Sequence, residues 1–245
     1  MTAGHSFPLT LSPVAALGER HLRSTAARGA ERGLQSQAPM AALDHRLELL
    51  PFAVGDTPGY ALTHLTRSHW SVRVWGRLGP FWADAFSLGL AGARISIRRG
   101  FARQDGEGRW IADFLLSPGT DAPEPSSLDF LSLVLGGTAP GDGEPIVLSH
   151  YALDGSPDVG PALYLEVQGP DRLGFLGSLL RSLARLELSP REMLITTSDG
   201  EARDRFFLKT LSGAVPSEAT RRLLQTRLDE VVLPPPRSAL TAVGA

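Results

Sequence analysis

Apolar side chains along this chain follow two periods, and the periods alternate in a fixed order. From Leu163 to Val167 every second residue is apolar, which predicts a half-buried strand. From Leu176 to Leu186 leucines recur at intervals of three and four, which predicts a helix with one apolar stripe. With the turn dipeptide at 199–200, the pattern predicts the order strand, helix, strand, strand, helix over residues 163–167, 176–186, 192–198, 202–209 and 217–232.

The same order occurs earlier in the chain. The pattern predicts strands over 71–75, 93–101, 110–116 and 146–153, a helix over 80–90 and a helix from the Ser126-Ser127 cap to Leu135. A fourth strand of the second copy is expected only at residues 237–243, which make a poor strand. The order predicts an α+β protein with two tandem ferredoxin-like βαββαβ domains, over residues 60–153 and 161–245, with antiparallel sheets. We expect the helices to cover one face of each sheet.

Segments rich in Gly, Pro and Asp separate the predicted elements. They lie at 117–125, 136–145 and 154–161, and the last is the best candidate for a domain boundary. Residues 1–39 combine scattered arginines with Ala, Ser and Gly, so we expect a flexible, disordered tail or an upstream extension before a start at Met40. A basic targeting segment is the alternative for this stretch.

Composition excludes several classes of protein. The 24 basic and 26 acidic side chains give a net charge of −2, which opposes a protein whose main role is binding nucleic acid. The chain has no cysteine, no long apolar run and no secretory signal, so we expect a cytoplasmic protein without membrane contact. The six histidines show no metal-ligand spacing, and no hydrolase, Walker or dinucleotide motif is present. The sequence therefore predicts no metal, no cofactor and no enzyme activity.

The junction between the first strand and first helix of each copy carries the candidate binding residues. The second copy reads Asp171-Arg172-Leu173-Gly174-Phe175-Leu176, and the first contains Arg77-Leu78-Gly79 followed by an aromatic after Pro80. The N-terminus of a helix leaves amide groups unpaired and favours a carboxylate. Gly174 would allow close approach of a ligand or simply pack the helix on the strand, and Asp171 would receive an ammonium group or cap the helix.

These residues carry a resemblance to a known family. The turn at 171–176 is similar to the Asp-Arg-Pro-Gly-hydrophobic-Leu turn of ACT domains, with Leu173 in the place of proline. Residues 199–207 resemble the hairpin and Asp-x-Phe strand of the ACT copies in protein-PII uridylyltransferases. The resemblance implies a non-catalytic regulatory protein that senses an amino acid through paired, allosteric ACT domains. It further implies self-association through the sheets, as a homodimer, and a regulated protein partner.

Three alternatives remain open at this stage. The ACT-like scaffold could be a ligand-free protein interaction module, or the regulatory part of a uridylyltransferase-like system. RNA binding is the third, because Arg99-Gly100-Phe101-Ala102 matches the opening of an RNA-recognition motif that is also βαββαβ. The following Arg103-Gln104 departs from that motif, and the overall charge opposes RNA binding.

Overall fold

Eight strands and four α-helices make up the part of the chain that the computed structural model describes, residues 55–136, 145–154 and 162–233. All of these residues belong to the unit Leu49–Ala245. The elements are β1 (Gly59–Thr66), β2 (His69–Gly76), α1 (Trp82–Gly92), β3 (Ile95–Gln104), β4 (Trp110–Pro118), a 3-10 turn (Pro125–Ser127), α2 (Phe130–Leu135), β5 (His150–Asp154), β6 (Leu163–Pro170), α3 (Phe175–Ala184), β7 (Leu188–Ser198), β8 (Glu201–Thr210) and α4 (Glu218–Asp229).

All eight strands lie in one antiparallel sheet with the order β1-β2-β4-β3-β7-β8-β6-β5. The order reads the same from both edges, because the N-terminal half (Gly59–Leu135) and the C-terminal half (His150–Asp229) contribute four strands each in equivalent positions. The protein is therefore α+β with an antiparallel sheet, as the periodicity predicted.

The two halves meet through the pairing of β3 with β7. This pairing runs from Arg99 opposite Thr196 to Arg103 opposite Glu192. Each of these strands would be a free edge of its own half, with unpaired backbone groups. Their pairing satisfies both edges, and buried side chains from the two halves form one apolar core that includes Val74, Phe86 and Leu165.

The edge strands differ from the sequence-based expectation. Residues 146–153 were expected to close the first copy, but β5 pairs with β6 and so belongs to the sheet of the C-terminal half. Strand β1, which was not predicted, takes the corresponding edge beside β2. The chain order of each half is thus ββαββα rather than βαββαβ. The physical reason is local: antiparallel strands joined by a short connection pair as hairpins.

Some expectations concern residues outside the described ranges. The tail at 1–39, most of the break at 136–145, the break at 155–161 and the weak strand at 237–243 all lie there. The limits 60–153 and 161–245 stay a prediction as domain limits, although residues 150–153 pair with the C-terminal half. The structure shows one continuous sheet across both halves and does not separate them.

The bounds of the helices also differ from the prediction. Ser126 and Ser127 form a 3-10 turn, and α2 begins only at Phe130, because the side chain of Asp129 accepts a hydrogen bond from the Ser132 amide. Helix α1 is shifted by two residues, to Trp82–Gly92. Helix α3 ends at Ala184, well before Pro190. Pro190 lies in β7, at a point where the register with β8 shifts, and such an irregularity tolerates proline within a sheet.

Helices α1 and α3 cross directly above the junction of the halves. A Cβ at Gly177 would lie 2.5 Å from Leu88 Cγ and 3.1 Å from the Leu88 backbone nitrogen, so the crossing requires glycine there. One turn away on the opposite side of the crossing, Arg181 Nε lies 3.9 Å from the carboxylate of Asp84, which is buried. Burial raises the pKa of Asp84, and the Ala85 amide and Arg181 counteract that shift.

The crossing predicts a sign for two matched substitutions. Gly177→Ala should destabilise the protein by about 1–3 kcal/mol through overpacking, even though alanine favours a helix more than glycine does. Gly92→Ala should be neutral or stabilising, because no atom lies within 4 Å of the added Cβ. Urea denaturation of both variants measures the difference. Equal stability of the two variants would contradict the close crossing.

Candidate functional site

The turn predicted to bind a ligand lies in a cleft between the two halves, which we call the junction cleft. Residues Asp171–Gly177, from the C-terminal half, form one wall. The N-terminal half contributes Ser87 of α1 and residues 95–97 of β3. The floor comes from β7 and β8. Its volume is about 30 Å³, and the remaining lining residues are Ile195, Thr197, Ala202 and Asp204.

Backbone geometry fixes the turn that leads into α3. Gly174 is the N-cap of α3 and has a φ of +83°, in the left-handed region where residues with a side chain are strained. The Asp171 amide donates to the Gly200 carbonyl at 2.7 Å, which braces the turn against the β7–β8 hairpin. The first turn of α3 therefore borders the cleft, and its unpaired amides give this end a partial positive charge.

Asp171 makes a contact between the halves instead of capping the helix. Helix α3 has no side-chain cap, and the Asp171 carboxylate pairs with Arg98 of β3 at 3.2 Å. Both side chains are partly shielded from solvent. Thr197 of β7 makes a second polar link, because its hydroxyl donates to the Ile97 carbonyl at 3.4 Å. The cleft is thus bordered by polar contacts that depend on how the halves are placed.

Asp204 is a buried carboxyl at the floor of the cleft, and the sequence-based site did not include it. It is 1% exposed and lies on the helix-covered face of β8, opposite Ile195 of β7 and Val167 of β6. Its Oδ1 accepts one long hydrogen bond, 3.4 Å, from the Thr196 amide. Burial raises the pKa of Asp204 to about 8, and the negative charge of Asp171 adds to the shift.

The sequence did contain a signal for Asp204. It falls in the same alternation as Ala202, Phe206 and Leu208, whose side chains point to the core. A carboxylate in the apolar phase of a strand has to be neutral, paired or available to a ligand. That inference depends on which side chains of the strand point inward, which the Asp-x-Phe motif alone does not show.

The three predicted residues of the first copy are not brought to the junction cleft. The Arg77 guanidinium donates to the Glu107 carbonyl at 2.9 Å, Leu78 is buried in the core, and a Cβ at Gly79 would meet nothing within 4 Å. The residue that caps α1 is Phe81, with a φ of −112°. The shared Arg-Leu-Gly does not occupy equivalent positions in the two halves. Helices α1 and α3 each begin six residues after a glycine near the end of the preceding strand, Gly76 or Gly169. Arg77 directly follows its glycine, whereas Arg172 lies three residues after its own.

The equivalent space in the N-terminal half is filled by aromatic side chains. In the N-terminal half, Trp110 lies opposite Gly76 and Ala112 lies opposite Val74. In the C-terminal half, the corresponding residues are Ala202, opposite Gly169, and Asp204, opposite Val167. The Trp110 ring packs edge-on against Trp82 with centroids 5.3 Å apart. The remaining space there is about 10 Å³. The two halves therefore share a backbone, but the N-terminal half leaves less space here, lined by Asp84 of α1, and carries Ala112 where the C-terminal half carries Asp204.

Other candidate chemistry finds little support in the described ranges. They contain no cluster of three or more His, Asp or Glu side chains that could hold a metal ion. None of their helices is long and apolar enough to cross a membrane. The RNA-motif fragment at 99–102 lies in β3 at the centre of the sheet, where Gly100 and Ala102 are buried. Nearby, Arg103 lies opposite Glu192, so the charges there are of both signs.

Comparison with known proteins adds no family assignment. No protein family profile matches the chain, and no curated protein matches it. Among solved structures, the crystal structure of aspartate kinase from Synechocystis is similar over 67% of this chain, with a TM-score of 0.38 and 18% sequence identity. This chain spans 27% of the length of that one. The architecture described above rests on the strand pairings and not on this likeness.

The buried carboxyl predicts an unusual dependence of stability on pH. The pKa of Asp204 is about 8 in the folded protein and near 3.9 when unfolded, so between these values the folded state retains a proton that the unfolded state loses. This group therefore favours folding at low pH, and its contribution falls as pH rises from about 4 to about 8. Asp204→Asn removes that dependence.

Urea denaturation of the unmodified protein and of Asp204→Asn at about pH 5 and about pH 8 tests this. The variant should gain stability relative to the unmodified protein on going to the higher pH, by on the order of 3 kcal/mol. Asp105→Asn is a control with an exposed acid, whose pKa is lowered. If Asp204→Asn and the unmodified protein change in parallel with pH, Asp204 does not hold a proton in the folded state.

Proposed function

We propose that this chain is a non-catalytic sensor of a small zwitterionic ligand, an L-amino acid, bound in the junction cleft. The observation that carries the proposal is the meeting of a helix N-terminus with the carboxyls of Asp171 and Asp204 in a cleft lined by both halves. An amino acid presents one negative and one positive group, and this cleft offers one partner for each.

The ligand carboxylate is assigned to the first turn of α3. Backbone amides at a helix N-terminus point along the axis and carry partial positive charge, which stabilises an anion there. Gly174 supports this role through its backbone, because its positive φ shapes the turn that places the start of α3 beside the cleft. The ammonium group is assigned to the acidic side of the cleft, which Asp171 and Asp204 form.

Regulation follows from the position of the cleft. A volume of about 30 Å³ has room for about two water molecules, so an amino acid has to widen the cleft to bind. Widening separates Ser96 and Ile97 of β3 from the turn at 171–177, and therefore changes the placement of the halves. A ligand that prefers the wider arrangement increases its population, and a bound partner protein would sense that change.

We further propose that the halves are permuted ACT-like repeats, with the edge strand placed before each βαββα segment. The similarity of residues 171–176 to the ACT turn supports this, together with the side-by-side pairing of the halves. The outer strands β1 and β5 each have one free edge in the described part of the sheet, which makes them the candidate surfaces for a homodimer.

A ligand-free protein interaction module is the second candidate. The small volume of the cleft favours it, because no amino acid fits without movement. In that case the chain would use its sheet as a fixed platform, and binding of a partner would not depend on a metabolite. A ligand screen separates the two functions directly.

A thermal-shift screen against the twenty L-amino acids tests the sensor. A ligand at about 100 times its Kd stabilises the folded state by about 2.7 kcal/mol, which corresponds to roughly 5 °C or more for a protein of this size. Asp171→Asn should reduce the shift, because it weakens the acidic side of the cleft and the contact with Arg98.

The matched control is Asp121→Asn. Asp121 also pairs with an arginine, Arg94, at 3.1 Å, but that pair is exposed and neither residue lines the cleft. This variant should keep the full ligand response. A flat screen with a folded protein would overturn the sensor and favour the interaction module.

A further inference from the structure

The fold does not require a carboxyl group at the position of Asp204. At the equivalent position of the N-terminal half, opposite Val74 of β2, the chain carries Ala112, whereas Asp204 lies opposite Val167 of β6. The same backbone is thus built without a carboxyl at this point. A buried acid costs free energy unless it is neutral or paired, so its presence in one half only indicates a role beyond packing.

Within the described ranges, no cationic side chain contributes to the pKa of Asp204, although Arg172 lines the same cleft. The charged residues that face it are Asp171 and Arg172 of the turn, and Arg98 of β3, which pairs with Asp171. Arg172 makes other contacts. The lining residues from α1, α3 and β7, namely Ser87, Phe175 and Thr197, carry no charge. The single hydrogen bond from the Thr196 amide is long, at 3.4 Å, and leaves the carboxyl underused as an acceptor.

We propose that Asp204 recognises the ammonium group of the ligand, and that one proton leaves the cleft for solvent as the ligand binds. This inference rests on the proposed function and names the group that selects the ligand. The balance is simple: the protonated acid of the free protein loses its proton to the buffer, and the carboxylate that remains pairs with the ammonium group, which keeps its own protons. No covalent bond forms or breaks on the ligand.

The proton release follows from the state of the free protein. Burial and the nearby Asp171 hold the pKa of Asp204 at about 8, so the group is protonated at neutral pH. A bound cation stabilises the ionised form and lowers that pKa. Affinity should therefore rise about tenfold per pH unit up to about pH 7.5 and level off near pH 8.5. An analogue without the amino group gains nothing from ionisation and should show no such rise.

Isothermal titration calorimetry of the full chain, in phosphate and in Bis-Tris at about pH 6.5, measures the proton count. The probes are the L-amino acid with the largest thermal shift and the carboxylic acid that lacks its amino group. The amino acid should release about one proton, because Asp204 is almost fully protonated at that pH. Asp204→Asn keeps the shape of the protonated acid, so it should fold and should abolish the release. It should also lower the affinity at least tenfold at about pH 8, where the unmodified protein pairs an ionised carboxylate with the ligand.

The outcomes separate this inference from the proposed function. If an amino acid binds without proton release, and Asp204→Asn binds it equally well, the role of Asp204 is overturned and the sensor stands. Methylammonium chloride, compared with sodium chloride, probes the ammonium site alone by thermal shift. If no amino acid binds but methylammonium stabilises the unmodified protein and not Asp204→Asn, the ammonium site stands and the amino-acid sensor does not. If neither probe binds, both are overturned.

Discussion

Backbone pairing between β3 and β7 is the constraint on which the rest of this structure depends. It joins two four-stranded sheets through five residue pairs, and it brings α1 and α3 together above the junction. The close approach of Gly177 to Leu88 and the pairing of Asp84 with Arg181 are possible only in that arrangement. The cleft is a consequence of the same contact, because one of its walls comes from each half.

The two halves show how one backbone can carry different chemistry. In the N-terminal half the space beneath the leading helix is filled by Trp110 and Trp82, and the strand carries Ala112. In the C-terminal half Ala202 leaves that space open, and Asp204 places a carboxyl at its floor. The same position is thereby filled by an aromatic core in one half and left with a buried carboxyl in the other.

Periodicity alone predicted most of the elements and the fold class, because alternation in β2, β6 and β8 and the leucine stripe of α3 are strong local signals. Strand β1 gave no such signal, since it is an edge strand with few buried positions. The alternation within β5 does not identify its partner strand, yet Tyr-Ala-Leu at 60–62 and again at 151–153 marks the two edge strands as equivalent. The turn at 171–176, predicted to bind a ligand, borders the junction cleft, whereas Arg77-Leu78-Gly79 lies outside it. To predict Asp204 as a site residue, one has to know which side chains of β8 point into the core.

The position of β5 decides where this polypeptide can be cut. The glycine- and proline-rich stretch at 155–161 looks like a natural site for trimming a fragment, but it lies between two hydrogen-bonded neighbours, β5 and β6. A shortened protein that starts after it would lose one outer strand and uncover the backbone of β6 from Tyr164 to Gln168. A fragment that retains the C-terminal half intact has to start upstream of Leu148, which bridges to Val232 after α4.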